Sequence, residues 1–105
     1  MNLELALVKF DTDLRNLINK TYEEQFKSLT PKYPTYKKGQ KYIKVLVDTS
    51  CWGFVSKVDG MLKGSPIKVG DLLKAANYST PAKHSRGNII DGTASYSMYG
   101  PSYIK

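Results

Sequence analysis

The segment Thr80-Pro81-Ala82-Lys83-His84-Ser85-Arg86-Gly87-Asn88 gathers the only His, a Lys and the only Arg apart from Arg15. Consecutive backbone amides in a turn, flanked by cationic side chains, suit a phosphate or a carboxylate. Pro81 and Gly87 bracket the segment and predict a loop of unusual backbone geometry. Lys83, His84 and Arg86 are therefore the candidate anion contacts. Downstream, Tyr96, Tyr99 and Tyr103 surround Gly100-Pro101, and exposed rings of this kind stack bases. Trp52, Tyr96 and Tyr99 are the candidate stacking partners. Each choice competes with a plainer one: a solvated loop His, an Arg in a surface ion pair, tyrosines capping a small core, and a Trp inside that core.

Other chemistries fail on residue supply. Thr49-Ser50-Cys51-Trp52 resembles the end of a papain-type nucleophile motif with His84 as base, but the preceding Cys-Gly is missing. One Cys rules out an internal disulfide and a cysteine zinc cage, and one His with scattered Asp offers no metal-ligand spacing. The chain contains neither of the common Gly-rich nucleotide cradles. An acid–base pair from Asp71 and Asp91 has nothing in its favour. The reading is a binding protein, not an enzyme, with no cofactor and no metal.

Charge is distributed unevenly. Residues 1–30 carry four Lys/Arg and five Asp/Glu, a net of −1, whereas residues 31–105 carry twelve Lys/Arg and four Asp, a net of +8. The basic part also holds seven of the eight tyrosines. Cations interleaved with aromatics neutralise phosphates and stack bases, and the same residue types anchor protein interfaces.

The elements that position these residues follow from periodicity. Leu7, Phe10, Leu14, Leu17, Ile18, Tyr22, Phe26 and Leu29 recur at helical steps, with no Gly or Pro before Pro31, which predicts one amphipathic helix over residues 1–30. Asp11 falls inside the apolar arc, so a helix capped by Asp11 is the alternative. Residues 31–40, rich in Pro and Lys, predict a surface linker without regular structure, itself basic and Tyr-bearing enough to touch a nucleic-acid backbone. From Lys41 the period falls to two, predicting a strand over Tyr42–Asp48 and a second around Trp52–Val58. A long turn through Gly60 and Gly64-Ser65-Pro66 precedes a third strand, or a short helix, over Val69–Ala76. Ile89-Ile90 reads as a short core strand. The expected fold is one α+β domain over residues 1–105, a long helix packed on a small antiparallel meander. The N-terminus has no basic leader and Glu4 breaks its apolar run, so neither an export signal nor a membrane span is expected, and a cytoplasmic location is.

The blocks Trp52-Gly53-Phe54-Val55, Gly70-Asp71-Leu72-Leu73-Lys74-Ala75-Ala76, Pro81-Ala82-Lys83-His84-Ser85-Arg86-Gly87-Asn88-Ile89 and Tyr99-Gly100-Pro101-Ser102-Tyr103 resemble a group of small proteins encoded by tailed bacteriophages. The resemblance implies a viral origin, expression in a bacterial cytoplasm, and work in host takeover or genome handling. It assigns no binding or catalytic residue. Met61–Val69 is longer than the pattern allows between its second and third β elements.

Two functions compete at this level: nucleic-acid binding through the cationic, Tyr-rich surface, or an inhibitor or adaptor gripping a host or viral protein through the same aromatic face. On the first reading, Lys83→Ala and Arg86→Ala each weaken nucleic-acid binding and flatten the salt slope by about one, with melting temperature nearly unchanged. Gel shifts across a salt series, with thermal melts, check this.

Overall fold

Asn2 starts the first element by capping it: its Oδ1 accepts the Leu5 N–H at 2.9 Å, satisfying one of the helix's orphan donors. The computed structural model describes residues 2–97, 100 and 101. Helix α1 spans Leu3–Gln25, so the longer-helix reading holds at this end and Asp11 is not a cap. At the other end α1 stops short of Thr30, with Phe26 leaving helical geometry at φ −132. Ala6, Phe10, Leu14 and Ile18 are buried along one stripe, while Leu17 is half-buried and Leu29 is exposed. Asp11 lies in that stripe because it has partners there: it accepts the Tyr36 hydroxyl at 2.6 Å on Oδ1 and Arg15 Nε at 2.9 Å on Oδ2.

Strand formation begins earlier than periodicity suggests. β1 is Pro34–Lys38, β2 Tyr42–Val47, β3 Ser50–Ser56, β4 Gly60–Leu62, β5 Ser65–Ile67, β6 Asp71–Ala75, β7 Pro81–Asn88, β8 Tyr96–Ser97 and β9 Gly100–Pro101. Among the described residues, β1-β2-β3-β6-β7 form one antiparallel sheet in that order, and β4-β5 and β8-β9 pair separately. The fold is α+β, with more strands than the expected meander. Half of the segment read as a linker is β1. A Pro opens an edge strand without cost because no ladder bond needs its missing N–H. The long turn is the β4-β5 hairpin, closed by Lys63 (φ 50) and Gly64 (φ 85). The strand reading of Val69–Ala76 holds as β6. Ile89 is buried but stands in a turn after β7, not in a strand.

The sheet is covered on both faces. Ile43, Val45, Trp52, Val55 and Leu72 pack against the α1 stripe, while Phe54, Leu73 and Ile67 form a second cluster on the opposite side with Tyr42, Cys51 and Leu62. A bulge makes this division possible. Val45 pairs with Gly53 but Leu46 with Cys51, leaving Trp52 as the extra residue. An extra residue reverses the alternation of side chains beyond it, so Trp52 joins Val55 on the helix side and Cys51 goes to the other. Gly53 lacks a side chain because a Cβ there would lie 2.9 Å from both Leu73 O and Pro101 Cγ.

Removing buried methyls leaves a cavity. Leu14→Ala therefore lowers the unfolding free energy by about 2–5 kcal/mol, whereas Val8→Ala, at a position 65% exposed, changes it by less than about 0.5 kcal/mol. Urea denaturation of the two variants measures the contrast, and equal effects would mean that α1 buries a different face.

Candidate functional site

The Pro81–Asn88 segment is not the loop its Pro and Gly suggest but edge strand β7. Ala75 pairs with Pro81 and Leu73 with Ser85, so one intervening β6 residue faces three on β7, Ala82-Lys83-His84. That bulge leaves Lys83 and His84 exposed. Arg86 is only 8% exposed, a correction to its role as a surface cation. Gly87 takes φ +94 and is crowded, since a Cβ would lie 2.1 Å from Thr93 O; it lets the following turn fold back onto β7. Asn88 locks that turn. Its Nδ2 donates to Val69 O at 2.9 Å and Asp71 Oδ1 at 3.0 Å, while its Oδ1 accepts the Ile90 N–H at 2.8 Å. The Arg-Gly-Asn end of the segment is thus structural.

The stacking partners fare similarly. Trp52 is 5% exposed and meets Phe10 edge-on at 5.6 Å between ring centroids, with Tyr96 5.2 Å from Phe10 and 5.8 Å from Trp52. This trio is core between α1 and the sheet. Burial pushes the Tyr96 phenol above its ordinary value, with the Asp13 carboxylate adding to the shift. The groove beside Tyr96 is lined by Asp13 and Asp91 as well as Lys9, carboxylates that repel a phosphate backbone. Tyr99 lies outside the described residues. Lys83, His84, Arg86, Trp52 and Tyr96 are therefore not brought together on one surface.

Asp71 and Asp91 serve turns. Asp71 is buried, with Oδ2 accepting the Lys68 N–H at 2.9 Å. Asp91 accepts the Thr93 hydroxyl and N–H, which holds its carboxyl below the usual range. Burial raises the Cys51 thiol above its ordinary value, opposite to the shift of an activated nucleophile. Among the described residues no three His, Cys, Asp or Glu side chains could together hold a metal ion, and no helix is long and apolar enough to cross a membrane.

A second cationic group, only partly visible in sequence, collects at the β1-β2 end of the sheet. Lys37, Lys38, Gln40, Lys41, Tyr42, Lys44 and Ser79 line one shallow groove there, which among the described residues contains no carboxylate, although Lys38, paired with Ile43, also borders a helix-side groove with Glu4 and Asp11. Lys57 Nζ joins it by donating to Gly39 O at 2.9 Å. Lys37 and Lys44 are register partners across β1 and β2, on the same face. Like charges directly opposite each other destabilise a strand pair; the Tyr78 ring against Lys44 offsets part of this, and an anion between the two lysines would offset more. The ion pairs Lys9–Asp13 and Arg15–Asp11 both lie on α1, away from this groove. Tyr78, at the tip of the β6-β7 turn, is 55% exposed and carries Lys44 Nζ 4.0 Å above its ring centroid.

Comparison with protein-family models, with curated proteins and with solved structures returned no match. The residues and their geometry carry the functional argument alone.

Because Arg86 is buried, Arg86→Ala costs about 1–3 kcal/mol, and Tm falls by at least about 4 °C in a domain of this size. Lys83→Ala, on the exposed bulge, leaves Tm within about 2 °C. Calorimetry of both variants separates the structural cation from the surface one.

Proposed function

We propose that this protein binds nucleic acid through the lysine-rich end of its sheet, with Lys37, Lys38, Lys41, Lys44 and Lys57 neutralising phosphates and Tyr78 and Tyr42 supplying aromatic surface. The observation that carries the reading is the Lys37–Lys44 pair, opposed across two strands within a groove free of carboxylate among the described residues. Electrostatic repulsion built into a fold is relieved by a polyanion, and release of condensed counterions drives the association. The net charge of +8 over residues 31–105 supports the same reading by raising local polyanion concentration. The phage-type sequence pattern fits such a role in genome handling or host takeover, inside a bacterial cytoplasm.

A second reading keeps the same surface but gives it a protein partner. Its support is the exposed Tyr78 ring, a residue type that protein interfaces favour. Salt separates the two, because an aromatic protein interface responds weakly where phosphate contacts respond steeply.

Lys37, Lys38 and Lys41 are all exposed, so replacing them with Gln preserves the fold. In anisotropy titrations with a labelled oligonucleotide over 50–300 mM salt, the wild type shows a steep negative slope of log K against log salt. The triple variant flattens that slope by about 2–3, the value for three lost phosphate contacts. An unchanged slope would move the site away from this patch.

A further inference from the structure

Tyr78 is held in place by its own turn. The Ala76 and Asn77 N–H groups donate to Thr80 O at 2.9 and 3.2 Å, and the Ser79 N–H donates to Asn77 Oδ1 at 2.9 Å. These bonds tie residues 76–80 into a closed unit with Tyr78 near its tip. The turn curls back over the sheet far enough to bring the ring to Lys44 on β2, two strands away from β6. One side of the ring is taken by the Lys44 ammonium, yet more than half of the residue stays exposed. A ring fixed at one face by a cation and open to solvent, beside the groove that Lys44 and Ser79 line, is arranged to receive a second flat group.

Tyr33 has a superficially similar setting, with Arg15 5.1 Å from its ring centroid. Its hydroxyl, however, donates to Asn19 on α1, and Arg15 is itself bonded to Asp11. That ring belongs to the helix, where acidic residues are interspersed. Among the described residues, only Tyr78 combines an exposed ring and a cation contact beside a groove that contains no described carboxylate.

We infer that the lysine groove takes an unpaired nucleic-acid strand, with one base stacked on Tyr78 and the flanking phosphates on Lys37 and Lys44, register partners on one face of the sheet. The inference rests on the nucleic-acid reading above and narrows it. In a duplex the bases are already stacked on one another and present only edges, so an isolated exposed ring finds no face to meet. In a single strand every base has a free π-face, and stacking tolerates any sequence. Lysines alone would serve either form; the positioned ring selects between them.

The test uses the intact protein with three labelled probes of one sequence: a 12-nucleotide DNA strand, the matching RNA strand and the blunt DNA duplex, all at the same salt. Either strand binding at least about ten-fold more tightly than the duplex is the expected result, with Tyr78→Ala removing about ten-fold of strand affinity and leaving duplex affinity unchanged. Tyr78→Phe keeps the ring and should keep the affinity. Circular dichroism confirms that each variant is folded. Duplex binding as tight as strand binding, or equal loss from Tyr78→Ala on both, overturns the inference while the phosphate-binding reading stands. Failure of all three probes to bind removes both.

Discussion

The middle of the sheet is buried on both faces at β3, and that constraint decides where charge can go. A lysine in the middle of such a sheet would lose its hydration with no compensating partner. β3 accordingly has no charged residue, and all five of its residues from Trp52 to Ser56 are buried. The described lysines of the basic region lie on the edge strands β1 and β7, in the turns and loops, at the exposed Lys74 of β6, and at the one β2 position, Lys44, that the β6-β7 turn caps with an aromatic ring. A cationic end to the molecule follows from the way the core is closed. Part of that pattern has a plainer cause, since lysines on an edge strand also discourage pairing with another chain's edge. Lys41, Lys44 and Lys57 lie off the edge strand, and that cause does not reach them.

Burial on both faces in turn depends on one extra residue. Without the bulge at Trp52, strict alternation would send Trp52 to the same side as Phe54 and leave the helix without its aromatic partner. With it, Phe10, Trp52 and Tyr96 interlock on one side while Cys51 and Phe54 serve the other. The Tyr36–Asp11 hydrogen bond then ties the edge strand to the helix, and burial with the adjacent carboxylate pushes the Tyr36 phenol far above its ordinary value. Asp11 can stay in an otherwise apolar stripe because that hydroxyl and Arg15 satisfy it.

The helix, β2, β3 and β6 were legible because long apolar periodicities survive without knowledge of their surroundings. β1 and β7 were not, for physical reasons. Both are edge strands with few core-facing residues, so neither has the alternation that marks a half-buried strand, and both open with a Pro that usually argues against a strand. The same blindness misread how Arg86 and the linker lysines are placed. Arg86 looked like a surface cation because its neighbours Lys83 and His84 are polar, yet the bulged strand turns it inward while leaving those two outside. Lys37 and Lys38 read as part of a loose linker, whereas pairing with β2 brings Lys37 opposite Lys44. A pairing register, which spacing alone does not encode, is what gathers these lysines.

The deciding question is which surface of the protein meets the ligand. Two-dimensional amide NMR of the labelled protein, titrated with a single-stranded oligonucleotide, answers that residue by residue. The structure predicts shifts concentrated at residues 37–44, at Lys57 and at residues 77–79, with the amides of residues 82–86 and the exposed side of α1 unmoved. Shifts confined to Lys83 and His84, or to the helix, would contradict it.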